Sequence, residues 1–353
     1  LDNHLAHGLR SFCYSFGGNS IAGISAKTEP DKLSEFCNSL EQELSAVVDG
    51  KISEVEMERE KGVVCEEISM NEDTPEDLCL DLLSRAFYGT QNYGRNILGT
   101  AKNVRSFTVE DIHAYKTARY CPQNIVVSFA GGIDPVTAQA LVESYFGDLP
   151  QGKFEKRTPI LNTKRSSLVK TKPIEQAHIA IGYPSVERGN PLEDVVSAVN
   201  GVLGGTMSAR LFQEVREKRG LAYSVYSYVS PYTECGSQII YAGVNPAQTE
   251  EAYNAICSVI KEMKEKGVTE DEFMRSREQM KSGMFFSNES SNSQMLLYGK
   301  YMLFFEEIFN FEKKLERINA MTYEQSFEAI KSMFDEQQKA IALVGNTDKA
   351  FSL

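Results

Sequence analysis

The chain has 353 residues, 42% hydrophobic and 24% charged, which is too long for one compact core and predicts two domains. No apolar run approaches the roughly 20 residues that span a bilayer, so no membrane segment is expected. A net charge of −12 disfavours nucleic acid and anionic lipid as partners, because their phosphates repel the average surface.

Residues 1–10 lack a basic stretch followed by an apolar one, so no signal or transit peptide is read there. Alternating residues predict a hairpin from Ser11 to Phe16 and from Ser20 to Ser25, closing on Ala22-Gly23. An amphipathic helix with Cys37 and a turn at Gly50 follow, then an acidic helical stretch from Glu58 to Asp77. Thr108-Val-Glu110 caps a further helix that leads into a predicted buried strand, Asn124 to Gly131. Asp148 to Lys164 reads as a link.

Beyond the link lie a strand from His178 to Tyr183, a helix from Leu192 to Leu203 and a small-residue turn, Gly204-Gly205-Thr206. The earlier order then recurs. Strands are expected from Tyr223 to Val229 and from Gln238 to Val244, closing on Ala242-Gly243, followed by a helix with Cys257 and a turn at Gly267. Thr322-Tyr-Glu324 and the strand Ala340 to Gly345 stand 214 residues after Thr108-Val-Glu110 and its strand, and Cys257 stands 220 after Cys37. The reading is one duplicated unit: a first module over 1–147, a link over 148–164 and a second module over 165–353. About 55 residues precede Gly220 in the second copy but only seven precede Gly8, so the first copy is expected to be short of a strand, a helix and a further strand or connection.

Cys13, Cys37, Cys65, Cys79, Cys121, Cys235 and Cys257 form no close pair and are odd in number, which predicts reduced thiols in a reducing, cytoplasmic setting. Glu60 and Glu67 are spaced to share one helix face, with Val63, Val64 and Ile68 on an apolar side. Such carboxylates bind a metal or orient its ligands; the alternative is a solvated acidic face. Gly204-Gly205-Thr206 is not followed by Gly-Lys-Ser/Thr, so no nucleotide loop is read there.

The stretch Glu60-Lys-Gly-Val-Val-Cys-Glu-Glu-Ile-Ser-Met-Asn-Glu-Asp-Thr-Pro-Glu-Asp resembles the one that follows the inverted zinc signature of the pitrilysin (insulinase, M16) zinc metallopeptidases. The resemblance continues through Ile97-Leu-Gly-Thr100, Tyr120-Cys-Pro-Gln-Asn124 and Ala130-Gly-Gly-Ile-Asp134. In the second module it covers Gly204-Gly-Thr-Met-Ser-Ala-Arg-Leu211, Arg216-Glu-Lys-Arg-Gly-Leu-Ala-Tyr223 and Gly267-Val-Thr-Glu270.

That resemblance implies an α+β fold of two homologous modules, each a mostly antiparallel sheet with helices packed on one side, facing each other across a cavity. It implies a zinc metalloendopeptidase that takes unstructured peptides in extended form, paired with an edge strand, and a homodimer or a heterodimer with a similar subunit. Glu67 matches the distal zinc ligand and Glu60 the carboxylate that supports the site from outside. Arg216 and Tyr223 match the pair that donates to the substrate backbone, and Gly204 and Gly205 match a substrate-facing turn. The alternatives are a surface ion pair of Arg216 with Glu214 or Glu217, and a strand-core place for Tyr223.

The His-x-x-Glu-His element does not carry over, so the zinc site is incomplete in this chain; the family's spacing from Glu67 places that element just upstream of Leu1. His4 and His7 lack its pattern, and His113 and His178 read as structural. A non-catalytic subunit that binds peptide or supports an active partner is therefore the alternative function.

Overall fold

The computed structural model describes residues 6–16, 19–40, 52–90, 92–149, 151–152 and 165–346. The fold is α+β. Strands β1 (Gly8–Phe16) and β2 (Asn19–Lys27) pair antiparallel, Gly8 opposite Lys27 and Phe16 opposite Asn19, as a two-stranded sheet. Helical residues 33–40 (α1) carry the buried Cys37. Gly50, His4 and most of the expected link lie outside the described residues.

Helix α2 (Glu54–Asp73) starts in a capping box, with Ser53 Oγ accepting from the Glu56 N–H and Glu56 bonding back to Ser53. It ends at Thr74, whose extended backbone suits a residue before proline, and Pro75 opens α3 (Pro75–Tyr88), where a missing N–H costs nothing. Helices α4 (Ala101–Ser106), α5 (Val109–Arg119) and α6 (Pro135–Phe146) follow. On α2 only Met57 is buried, and Val63 is 47% exposed, so the apolar side read around Val63 covers no core.

The second half holds a five-stranded sheet in the order β3-β7-β4-β6-β5, formed by β3 (Ser166–Thr171), β4 (Ala177–Ser185), β5 (Ala222–Pro231), β6 (Gly236–Val244) and β7 (Ala340–Gly345). Only β3 and β7 run parallel. Alternation decides which face each residue serves. Ile179, Ile181, Ile240, Ala242, Ile341 and Leu343 pack into one core with α7 (Glu193–Leu203), α8 (Thr249–Lys266), α9 (Glu270–Asn288), α11 (Phe311–Ala320) and α12 (Tyr323–Met333). The helices of this half thus cover one face.

The other face is covered from the first half. Cys79, Leu83 and Phe87 of α3 pack on Ala180, Ala340, Ala342 and Val344, whose small side chains let the helix approach closely. At Gly182 even a methyl would sit 3.4 Å from Leu83 Cδ1. Helix α10 (Ser291–Phe305), which follows α9 as α3 follows α2, reaches back the opposite way: the Ser128 hydroxyl donates to the Met295 carbonyl at 2.8 Å.

One predicted strand is corrected. Residues 125–130 join no sheet among the described residues, and Ile125 and Val127 stay 39% and 37% exposed. Its counterpart β7 is a strand because it lies between β3 and β4. Residues 125–130 have no such neighbours among the described residues, so a strand-like sequence finds no ladder here.

Candidate functional site

Helix α7 buries Val195, Val196, Val199 and Val202, and ends at Gly204 with its N–H bonded to the Asn200 carbonyl at 3.0 Å. The Gly204 carbonyl then accepts from the Ser227 N–H of β5 at 3.0 Å. That approach requires glycine, since a Cβ here would meet Ser227 Oγ at 2.5 Å and its N at 2.7 Å. Asn200 Nδ2 donates to the Ser227 carbonyl at 3.3 Å. Both outward-facing backbone groups of Ser227 are therefore occupied, and the β5 edge is closed at this point. Gly205, one residue on, is exposed.

Beyond the turn, Arg210 is tied to Glu272 of α9, and Phe212–Glu217 winds as a π-helix. Its signature is the Lys218 N–H donating to the Gln213 carbonyl, five residues back, at 2.9 Å. Buried Val215 fixes the inner side of this wide turn, while Arg216 faces outward. Gly220, at φ +62°, reverses the chain into β5.

The first residues of β5 carry a bulge: Ala222 lies opposite Val244 and Ser224 opposite Gly243, so Tyr223 has no partner in the ladder. Ala222 is 6% exposed and Tyr223 77% exposed, so Tyr223 is not a strand-core residue. The Arg216 guanidinium sits 4.8 Å from the Phe212 ring centroid and 5.9 Å from that of Tyr223. Its contact with Glu217, at 3.8 Å, is loose, and Glu214 is engaged by Lys218. Two backbone irregularities thus bring a guanidinium and a phenol side by side in solvent. A cavity of about 650 Å³ lined by Pro184, Lys264, Phe334 and Glu336, among others, includes none of these residues.

Glu60 and Glu67 both lie on α2 with exposed side chains, and Arg59 stands 3.5 Å from the Glu60 carboxylate. His7 pairs with Glu29 at 3.2 Å, and His178 Nδ1 lies 2.6 Å from the Tyr241 hydroxyl. Burial lowers the His178 pKa, opposed by the charge of Glu76. Among the described residues no three His, Cys, Asp or Glu side chains gather to hold a metal. A zinc site takes at least three protein ligands, so the described donors do not fit a complete one.

Sequence reasoning passed over Phe212 and Glu272, and quoted Arg210 within a motif without giving it a role. The spacing Thr269-x-x-Glu272 is a visible capping signal, but the partner of that glutamate lies 62 residues away along the chain.

The model of the peptidase M16 inactive domain matches residues 106–280. The chain is 38% identical over 295 residues to the uncharacterized zinc protease YmxG of Bacillus subtilis (strain 168), taking in 82% of this chain and 71% of that relative. The crystal structure of a peptidase M16 inactive domain from Pseudomonas fluorescens superposes with a TM-score of 0.85 at 22% identity, covering 96% of this chain and 81% of that one. A chain of complex III2 from Candida albicans superposes at 0.82 with 16% identity, covering 98% and 85%. At these identities the structural likeness speaks to the fold alone.

Proposed function

Because this chain belongs to the M16 peptidase family, we propose that it grips an extended peptide with Arg216 and Tyr223 as part of a zinc metalloendopeptidase. The observation that carries this reading is the pairing of a π-turn with a β-bulge. Each irregularity turns one donor side chain outward, and the two donors meet. A guanidinium and a phenol both donate to peptide carbonyls, and both stabilise oxygen that gains negative charge. Exposed Gly205 keeps the neighbouring surface low for a peptide backbone, while Gly204 lies buried against Ser227 beneath it. With β5 closed at Ser227, the edge we assign to an added peptide strand is that of the β1–β2 hairpin, whose strands pair only with each other among the described residues.

In this reading Glu67 supplies one oxygen ligand to zinc, and Glu60, two helical turns earlier, orients the site. Zinc would serve as Lewis acid and water activator. The described donors fall short of a complete site, so no hydrolytic step is drawn through it. A second reading is a non-catalytic subunit that binds peptide beside an M16-like partner or a second copy. The match of residues 106–280 to the family's inactive domain supports it. Among the described residues no helix is long and apolar enough to cross a membrane. The free thiols of Cys37, Cys65, Cys79, Cys121, Cys235 and Cys257 suit a reducing, cytoplasmic setting.

The test measures zinc content and cleavage of a quenched fluorescent, unstructured peptide, with and without chelator, beside the affinity for the same peptide. Chelator-sensitive cleavage that Glu67→Gln abolishes supports the peptidase. Peptide binding weakened by Arg216→Ala and Tyr223→Phe, without zinc or cleavage, supports the non-catalytic subunit. Absence of peptide binding overturns both.

A further inference from the structure

Arg216 reaches the peptide surface from a wide turn rather than a tight helix, which leaves the aim of its long side chain to whatever touches it. Among the described residues no hydrogen bond holds its guanidinium: Glu217 is 3.8 Å away and Glu214 is engaged by Lys218. What does hold it is the ring of Phe212, four residues earlier on the same π-turn, at 4.8 Å. Leu211 and Val215, both fully buried, pin that turn to the core on either side of Phe212, so the ring is a fixed platform.

We propose that Phe212 is the positioning residue of the peptide site: its face pre-aims the Arg216 guanidinium beside Tyr223 while leaving its N–H donors unbonded, with only a loose 3.8 Å contact to Glu217, for a peptide carbonyl. An ion pair would aim the fork equally well but would occupy the donors and weaken the positive charge. A ring face attracts the cation through its quadrupole and takes no N–H. Arginine has many side-chain rotamers to lose on binding, and a stacked guanidinium has surrendered part of that freedom before the peptide arrives. This role rests on the peptide-gripping reading above.

The experiment uses the full chain and a fluorescein-labelled, unstructured decapeptide, read by anisotropy, with thermal midpoints recorded to confirm folding. Phe212→Leu keeps bulk but removes the face, and should weaken binding about three- to five-fold. Phe212→Tyr keeps the face and should stay within about two-fold of the parent. Arg216→Ala should weaken binding at least as much as Phe212→Leu, and the double variant should match Arg216→Ala alone. In parallel, the Arg216 Nε–H resonance should lose its ring-current shift in Phe212→Leu and keep it in Phe212→Tyr.

If Arg216→Ala binds the peptide like the parent, the peptide-gripping reading fails and the positioning role falls with it. If Arg216→Ala weakens binding while Phe212→Leu does not, or if the two effects add in the double variant, the positioning role is overturned and the reading of the site stands.

Discussion

Arg210 holds Glu272 by two hydrogen bonds, Nε to Oε1 at 2.9 Å and a terminal nitrogen to Oε2 at 2.6 Å, and so ties the segment entering the π-turn to the first turn of α9. The same carboxylate closes the capping box of α9 through the Thr269 N–H at 2.8 Å. Hydrogen bonds from Arg210, and then from the Thr269 N–H, outweigh burial and hold the Glu272 carboxyl down at about 2, from an ordinary 4.5. Its side chain is 23% exposed, so solvent screens part of the interaction.

A depressed folded-state pKa stabilises the protein above the unfolded value, and that stabilisation is lost as pH falls through the folded one. Urea unfolding of the parent should therefore show about 1–2 kcal/mol of this stability disappearing between about pH 4.5 and pH 2, after discounting for screening. Arg210→Ala should remove most of that acid dependence and cost about 1–3 kcal/mol at pH 7. Parallel pH profiles for the two proteins would show that the pair contributes nothing.

Gly204→Ala should destabilise by about 1–3 kcal/mol, because its methyl collides with Ser227 Oγ and backbone N and cannot be absorbed by a flexible side-chain tip. Gly205→Ala meets its nearest atom, Gly201 Cα, at 3.1 Å and should cost less. Chemical denaturation of both variants checks the order. Equal costs would mean that the turn adapts and that the closure of β5 at Ser227 is soft.

Phe87→Ala should cost about 3–5 kcal/mol, the range for a fully buried aromatic, because α3 covers the second face of the five-stranded sheet. Val63→Ala on exposed α2 should change stability by no more than about 0.5 kcal/mol. A small effect at Phe87 would mean that α3 docks loosely on Ala180 and Ala342.

The elements that were legible in the sequence are those whose signals are local. The two hairpins, the helix from residue 193 to 203 and the strand Ala340–Gly345 follow from alternation and helical spacing that lie within each segment. Residues 125–130 have the same apolar strand pattern as β7 and still form no strand, because a strand is completed by neighbours elsewhere in the chain. The crossing of α3 to the far face of the sheet was hidden for the same reason: Cys79 and Leu83 show an apolar stripe but not what it meets. At the candidate site, motif spacing selected Arg216 and Tyr223. The π-turn, the bulge and the Phe212 platform that join them arise from packing and have no sequence period of their own.

The central claim is that an extended peptide lies against the surface made by Gly205, Arg216 and Tyr223. Amide hydrogen exchange of the full chain, with and without a saturating unstructured decapeptide, tests it most directly. The account predicts slowed exchange confined to residues 203–208, 216–225 and the β1–β2 hairpin. Protection elsewhere, with these three segments exchanging at their peptide-free rates, would contradict it.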